Sequence, residues 1–286
     1  MTISYLPHEF HQTVTALRGF FLRKGFLEIH VQDRLSILAA CEDPTNISLF
    51  RFGNKLWPLP QTGQMWLEDE LLKTPSLEGV FCISTSYRLE QNPKPGRHNL
   101  IFPMCEFESK GRLADLIQLE QELCEYLGFG KQSKFPELEY REAMSQYNTQ
   151  EIRAEEEVKI CQDYGNVVML KNFPLHTSPF WNMAVDQDLG IAKKVDVLIH
   201  GIETIGSAER STDVAQMRDQ FYTISNGDYA EILFAKFGRN RVEEELEKFL
   251  TYRFFPRFGG GIGITRLILG LRKEKFYDTT EFQLAG

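Results

Sequence analysis

The segment from Phe258 to Arg266 constrains the fold more than any other, because it reads Phe-Gly-Gly-Gly-Ile-Gly-Ile-Thr-Arg. Glycine carries no Cβ, so this backbone can approach a flat ligand closely. Apolar residues follow at helical spacing, at positions 264, 267, 268 and 271, and predict a buried helix with Arg266 in its first turn. A glycine floor beside a fixed arginine suits a nucleotide, whose phosphate the guanidinium would bind. A tight turn before a core helix is the alternative interpretation.

Two common glycine motifs are excluded. A P-loop requires Lys-Ser/Thr after its last glycine, where this chain has Ile264-Thr265. A dinucleotide fingerprint requires a third glycine, where this chain has Arg266, and a second βαβ unit, which the 20 residues after Arg266 do not hold. If the glycine run binds a nucleotide, other residues of the binding site must therefore come from elsewhere in the chain.

Composition narrows the functional class. The chain has 286 residues, and 40 acidic against 32 basic side chains give a net charge of −8, which argues against nucleic-acid binding through broad electrostatics. The five cysteines include no CxxC pair, so neither a disulfide framework nor a zinc knuckle is predicted. No segment resembles a signal peptide or a membrane span. We expect a cytoplasmic protein with no membrane partner.

Hydrophobic periodicity predicts an α+β fold with an antiparallel sheet, because strands and helices do not follow a strict βαβ rhythm. Helices are expected near residues 10–21, 64–72, 112–128, 151–164, 212–224 and 241–250. Strands are expected at residues 26–31, 80–90, 100–108, 167–170 and 195–199, with a hairpin over 48–57 that turns at Gly53-Asn54. No linker or repeat interrupts the sequence, so residues 1–286 are expected to form one domain.

Two predicted strands carry a polar cluster. Arg88 and Glu90 would lie two apart on one strand and therefore share a face. On the next strand, the same period places four side chains on one face, namely Phe102, Met104, Glu106 and Glu108. Arg97-His98, in the loop between them, would add cations that can fold over an anion. A structural ion-pair network is the competing explanation.

A second cluster surrounds the strand Val195–Ile199. Asp196 and Glu203 bracket the turn after it, and a carboxylate within an apolar strand is costly unless it is paired or metal-bound. Two such groups can hold Mg²⁺ together with substrate phosphates. An ordinary acidic turn is the alternative. Arg210 is a further candidate for binding a carboxylate or carboxamide.

Taken in order, these segments resemble the catalytic core of class II aminoacyl-tRNA synthetases of the aspartate/asparagine/lysine subgroup. The second family motif resembles Tyr87 to Glu90, then Arg97-His98, then Phe102 to Glu108, and the third resembles Gly259 to Arg266. The first half is most similar to bacterial asparaginyl-tRNA synthetases, through Ala40-Cys-Glu42 and Thr62-Gly-Gln-Met-Trp-Leu-Glu68.

The resemblance implies a six-stranded antiparallel sheet flanked by helices, a homodimer, and activation of an amino acid with ATP. It implies ATP contacts at Arg88, Glu90, His98, Phe102, Glu203, Gly261, Gly263 and Arg266, with Arg88 and Arg266 stabilising the reacting phosphates. It implies amino-acid contacts at Glu42, Gln64, Glu68, Glu106 and Arg210. It implies Mg²⁺ at Asp196 and Glu203.

Departures from the family pattern modify these expectations. Aspartate-type enzymes place a lysine after the Gln64 region, and this chain has Leu67 there, which argues against aspartate in the usual pocket. Glu68 would instead accept a hydrogen bond from a neutral amide. The family commonly has an acidic residue before the motif-three arginine, whereas this chain has Thr265. Short ammonia-dependent asparagine synthetases carry a similar hydroxyl at that position. Gln32 replaces the first-motif proline, which weakens the dimer prediction. No anticodon-binding domain is expected.

Three functions remain open. The first is a stand-alone adenylate-forming ligase for an asparagine- or aspartate-like amino acid, whose acceptor is a tRNA, a small molecule or a protein. The second is an asparagine synthetase that uses aspartate, ATP and ammonia. The third is a regulatory paralogue that binds amino acid or ATP without chemistry.

Overall fold

The computed structural model describes residues 4–40, 44–177 and 179–277. Its α-helices are α1 (Pro7–Arg23), α2 (Gln64–Lys73), α3 (Leu113–Tyr126), α4 (Tyr140–Gln146), α5 (Ala154–Tyr164), α6 (Val214–Thr223), α7 (Asp228–Phe237), α8 (Arg239–Leu250) and α9 (Ile264–Lys273). Its strands are β1 (Phe26–Glu28), β2 (Leu49–Phe52), β3 (Lys55–Pro58), β4 (Gly79–Tyr87), β5 (Ile101–Lys110), β6 (Glu137–Glu139), β7 (Val167–Pro174), β8 (Val185–Asp186), β9 (Ile191–Ile199), β10 (Ile202–Arg210) and β11 (Arg257–Gly263).

One large sheet organises the described residues, in the order β1-β4-β5-β11-β10-β9-β7-β6, with β8 paired to β9. Its six inner strands, from β4 to β7, are antiparallel throughout, which agrees with the predicted sheet. Short parallel strands, β1 and β6, extend the two edges. The hairpin of β2 and β3 forms a separate sheet, as its turn sequence predicts.

Strand alternation gives the sheet one apolar face and one face, called the polar face, whose central strands carry charged side chains while apolar clusters cover it at β4 and β7. On β5, Cys105 and Phe107 are buried in the main hydrophobic cluster with apolar residues of α1, α3 and α9. Their neighbours Glu106 and Glu108 point to the opposite face, because successive side chains alternate in a strand. A second cluster packs α6, α7 and α8 around Trp181, and a third packs α4 and α5 against β7. The polar face is the one available for a site.

Two predictions about local structure need correction. Strand β4 ends at Tyr87, so Arg88 and Glu90 follow the strand and do not lie in it. The glycine run is a central strand, β11, and the chain enters α9 directly after Gly263. Sequence periodicity also did not identify α4 and α7.

Gln32, which stands at the position of the family's proline, is hydrogen-bonded to the inner strand β4. Its side-chain amide donates to the carbonyl oxygen of Thr85 (2.8 Å) and accepts from the Thr85 N–H (3.2 Å). The side chain thus continues the pairing that β1 begins. Among the described residues, no helix is both long and apolar enough to cross a bilayer.

A buried glutamate in α3 makes stability depend on pH. Glu120 is fully buried where α3 packs on β9 and β10. Burial raises its pKa from 4.5 to about 8. The Ser207 hydroxyl partly offsets that rise, but its own hydrogen bond goes to the Val195 carbonyl oxygen (3.1 Å). Between pH 4.5 and about 8 the unfolded chain has lost this proton while the folded chain keeps it.

We therefore predict that this group lowers the free energy of unfolding by roughly 5 kcal/mol as pH rises through that interval. Glu120→Gln removes the titration, so the variant should gain stability relative to the parent as pH rises. Urea unfolding at pH 5.5, 6.5, 7.5 and 8.5 measures the difference, with Glu125→Gln on the exposed face of α3 as the control. A difference that does not change with pH would contradict the prediction.

Candidate active site

A cavity of about 430 Å³ opens on the polar face of the sheet. The structure brings most of the predicted site residues to its walls, namely Gln64, Arg88, Glu90, His98, Phe102, Glu106, Asp196, Glu203, Arg210, Gly261, Gly263 and Arg266. Two are not among its lining residues. Glu68 lies behind the wall, and Glu42 lies outside the described residues.

The glycines of β11 form the floor of this cavity. Gly259 pairs with Glu108 of β5 and with Ala208 of β10, and Gly261 pairs with Glu106 and Gly206. A Cβ on Gly259 would lie 2.1 Å from the Glu108 carboxylate and 2.4 Å from the backbone oxygen of Phe107. Side chains of the flanking strands therefore occupy the space above β11, and glycine is required at Gly259.

An ion pair crosses β11 through that space. Arg210 of β10 donates from Nε (3.0 Å) and Nη2 (2.6 Å) to Oε1 of Glu108 on β5. Both side chains are buried, at 3% and 0% exposure. Burial raises the pKa of Glu108 to about 8, although the nearby Arg210 acts to lower it. The second oxygen, Oε2, has no hydrogen-bond partner among the described residues.

Glu68 is fully engaged behind the cavity wall. Its Oε2 accepts from Nε (2.9 Å) and Nη2 (2.6 Å) of Arg257. Its Oε1 accepts from the side-chain amides of Gln64 (2.8 Å) and Asn182 (2.6 Å). Burial acts to raise the pKa of Glu68, but Arg257 and Arg210 hold it below the ordinary value. The hypothesis that Glu68 reads a substrate amide is therefore corrected: Glu68 positions Gln64 and neutralises Arg257.

Glu106 lines the cavity and accepts bonds from the start of α2. Its carboxylate accepts from the Gly63 N–H (2.8 and 2.9 Å) and from the hydroxyls of Thr62 and Ser84. The carboxylate thus fixes the turn that presents Gln64. The family resemblance implies that Glu106 contacts the amino acid, and its place on the cavity wall is compatible with that role.

Cations gather at the other end of the cavity around Glu203. Arg266 donates from Nη1 to the backbone oxygen of Glu203 (2.8 Å) and lies 3.6 Å from its carboxylate. Burial acts to raise the pKa of Glu203, but the charges of Arg266, Lys194, Arg88 and Arg97 hold it below the ordinary value. Four cations from separate segments therefore act on one carboxylate.

The loop after β4 closes this end. The Arg88 guanidinium lies 5.2 Å from the centroid of the Phe102 ring, and its Nε donates to Ser86 Oγ (3.3 Å). His98 Nδ1 lies 2.6 Å from Oε2 of Glu90. Arg97 pairs with Glu157 of α5, a partner that sequence analysis did not identify. The family-derived phosphate contacts are thus adjacent in space.

The acidic pair converges as predicted, but it includes a lysine that sequence analysis missed. A Cβ on Gly206 would lie 3.2 Å from Oε1 of Glu203 and 3.7 Å from Oδ1 of Asp196. Lys194 Nζ lies 2.7 Å from each carboxylate oxygen of Asp196. Burial raises the pKa of Asp196, while Lys194 acts to lower it. The period-2 rule would have found Lys194, because it lies two residues before Asp196 on β9.

As a donor set for Mg²⁺, this pair fits through Glu203 and does not fit through Asp196. The Glu203 carboxylate is partly exposed, has a lowered pKa and can ligate a metal. The Asp196 carboxylate already accepts a hydrogen bond from the ammonium of Lys194 through Oδ2, and the same Nζ lies 2.7 Å from Oδ1, which has no hydrogen-bond partner among the described residues. Within the described ranges, no group of three or more His, Cys, Asp or Glu side chains is arranged to hold a metal.

Comparison with known proteins gives one family. The family model of class II tRNA synthetases (D, K and N) matches residues 8–279. The chain is 24% identical over 288 residues to an aspartate–tRNA(Asp/Asn) ligase of Archaeoglobus fulgidus, covering 91% of this chain and 63% of that protein. The corresponding ligase of Methanopyrus kandleri is 23% identical over 299 residues, covering 94% and 64%. The chain thus spans less than two thirds of the length of these relatives.

Solved structures give the same fold. The asparaginyl-tRNA synthetase from Pyrococcus horikoshii, complexed with asparaginyl-adenylate, matches with a TM-score of 0.76 at 21% identity, over 93% of this chain and 64% of that one. The Entamoeba histolytica asparaginyl-tRNA synthetase, also with asparaginyl-adenylate, matches with a TM-score of 0.75 at 18% identity, over 93% and 63%. At these identities the likeness concerns the fold.

The glycine floor yields a paired prediction. Gly259→Ala places a methyl group against a backbone oxygen and the buried Glu108 carboxylate, so we expect a loss of about 3 kcal/mol in the free energy of unfolding. Gly261→Ala meets the terminal methyl of Met104 at 2.4 Å, and that flexible side chain can move. We expect this second change to cost less than about 1 kcal/mol.

Urea unfolding followed by circular dichroism measures both values under one condition. Equal losses for the two variants would contradict the assignment of Gly259 as the sterically required position.

Proposed function

The chain belongs to the family of class II tRNA synthetases (D, K and N), and from that membership we propose that it activates an amino acid with ATP. The product would be an aminoacyl-adenylate, and the amino acid would be of the asparagine or aspartate type. The observation that carries this proposal is the convergence of Arg88 and Arg266, 178 positions apart in the sequence (266 minus 88), on one cavity beside the Phe102 ring.

The proposed reaction needs positioning and charge, and no covalent group on the protein. A carboxylate oxygen of the amino acid attacks the α-phosphorus of ATP; that P–O bond forms while the bond to pyrophosphate breaks and pyrophosphate leaves with the electron pair. Negative charge on the phosphate oxygens would be stabilised by Arg88 on one side and Arg266 on the other. Phe102 and the floor glycines Gly261 and Gly263 would hold the nucleotide, with His98 held near the phosphates by Glu90.

Magnesium belongs to this proposal as the counter-ion of ATP. When bound with the nucleotide, Mg²⁺ supplies positive charge to the phosphates, and Glu203 is the side chain that would hold it. Gln64 and Glu106 would bind the amino group of the amino acid. The acceptor of the activated acyl group would be a tRNA, as in the named relatives, or a small molecule or protein. A homodimer and a cytoplasmic location are also part of the proposal.

The amino-acid side chain would meet Arg210 and Glu108. Arg210 can donate to a side-chain oxygen of either asparagine or aspartate. Oε2 of Glu108, which has no hydrogen-bond partner among the described residues, lies in the same ion pair. When ionised, Oε2 accepts an N–H from a carboxamide; when protonated, it donates to a carboxylate. The Glu108 proton would therefore decide between the two side chains.

A proton on Glu108 favours a second function, the synthesis of asparagine. If Glu108 keeps its proton near neutral pH, the pocket suits free aspartate, the substrate of an ammonia-dependent asparagine synthetase. The regulatory alternative, binding of amino acid or ATP without chemistry, has less support, because a non-catalytic protein does not require all of the phosphate-directed cations.

Pyrophosphate–ATP exchange tests the proposed function. We expect exchange that depends on an added amino acid, and Arg88→Ala should reduce it by about 100-fold, the scale of one preorganised charge contact in a transition state. Arg218→Ala is the control, because Arg218 pairs with Glu247 on the exposed surface. Turnover of aspartate plus ammonium would identify an asparagine synthetase. Absence of exchange with every amino acid would refute the proposal in favour of the binding protein.

Amino-acid selectivity should change with pH. Glu108 ionises only as pH passes about 8, under the influence of burial and of the facing charges of Arg210, Glu68 and Arg257. Calorimetric titration with a non-hydrolysable ATP analogue should show the affinity ratio of asparagine to aspartate rising about 10-fold between pH 6.5 and 9. Glu108→Gln should abolish that change. A ratio that is constant with pH in the parent chain would exclude Glu108 as the selecting group.

A further inference from the structure

The ammonium of Lys194 occupies the side of Asp196 that a metal would use. Both residues project from β9 onto the polar face, two positions apart. Nζ lies 2.7 Å from Oδ1 and 2.7 Å from Oδ2, so it sits where the two oxygens converge. On its other side, Nζ lies 3.9 Å from the centroid of the Phe173 ring, a distance at which the ring face attracts a cation.

A metal and this ammonium exclude each other at Asp196. Mg²⁺ binds carboxylate oxygens at about 2.0–2.1 Å, so an ion that contacted both oxygens would overlap with Nζ. The oxygen Oδ1 is buried and has no hydrogen-bond partner among the described residues, but the Lys194 Nζ lies 2.7 Å from it, so a metal that approached Oδ1 would have to displace that ammonium. Among the described residues, the cation within ion-pair distance of the Glu203 carboxylate, on the neighbouring strand, is Arg266 at 3.6 Å.

We propose that Lys194 replaces a divalent cation at Asp196, so that the acidic pair offers only the Glu203 carboxylate to a metal. The inference rests on the proposed function in so far as the metal accompanies ATP. Lys194 then contributes a permanent positive charge beside the phosphate end of the cavity, independent of free metal concentration. It is a positioning residue, since it acts through Asp196 and Glu203.

Metal binding tests this directly. Free Mn²⁺ is measured by electron paramagnetic resonance during titration of the full chain, with and without α,β-methylene-ATP. Lys194→Met frees both oxygens that face Nζ, so we expect Mn²⁺ to bind at least about 10-fold more tightly than to the parent chain. Lys193→Met is the matched control: the neighbouring lysine points to the other face, where its Nζ lies 3.4 Å from Glu209. It should leave Mn²⁺ affinity unchanged.

A double variant separates the new site from general loosening of the fold. Lys194→Met/Asp196→Asn lacks the carboxylate, and we expect its Mn²⁺ affinity to return to the parent value. Thermal unfolding gives a second readout: Mn²⁺ should raise the melting temperature of Lys194→Met more than that of the parent chain. Parent-like Mn²⁺ affinity in a folded Lys194→Met chain would overturn the proposal.

The Mn²⁺ titration tests the inference about Lys194 separately from the proposed function. If neither chain binds the ATP analogue, the proposed function fails, while the titration without nucleotide still decides the role of Lys194. If the analogue binds and Lys194→Met shows no gain in Mn²⁺ affinity, only the inference about Lys194 fails.

Discussion

The bond between Glu108 and Arg210 is the contact on which the polar face of the sheet depends. These residues lie on β5 and β10, two strand spacings apart, or roughly 10 Å. Their side chains meet only because β11 between them carries glycine where any Cβ would strike the Glu108 carboxylate. A strand of bulky residues would separate the pair and leave two buried charges without partners, which is strongly destabilising. The glycine run, the ion pair and the cavity are therefore one structural solution.

Charges in the cavity are arranged in two zones with different balances. At one end, the buried carboxyl groups of Glu68 and Glu108 bind the guanidiniums of Arg257 and Arg210, and each buried arginine thus has an acidic partner. At the other end, several cations act on the Glu203 carboxylate. A polyanion such as a triphosphate would lie at the second end, and a small polar side chain at the first. An overall charge of −8 gives no indication of this separation.

Local patterns predicted much of the fold. Helical periodicity located α1 and α3, and Gly53-Asn54 located the hairpin of β2 and β3. The extension of β4 through Glu90 was wrong: the Arg88 N–H still donates to the Leu100 carbonyl oxygen (2.7 Å), but the next N–H, of Leu89, donates to Asn46 (2.8 Å), which is distant in sequence. The glycine run was interpreted as a nucleotide-binding backbone segment before a helix, with a turn as the alternative; its strand character was not predicted, since it depends on pairing with β5 and β10. The residues that resemble family motifs converge on one cavity, but their roles stay predictions.

Ion pairs between residues that are distant in sequence explain why some roles could not be predicted from local sequence patterns. Glu68 and Arg257 are 189 residues apart, and no local rule connects them. Because of that bond, Glu68 does not bind the substrate amide but positions Gln64. The same reasoning applies to Asp196 and Glu203, which have similar chemistry and converge on one point above Gly206. Asp196 forms an ion pair with Lys194, whereas Glu203, which lies beside Arg266, is available as a ligand. The function of each carboxylate in this cavity is thus set by the cation that the fold places against it.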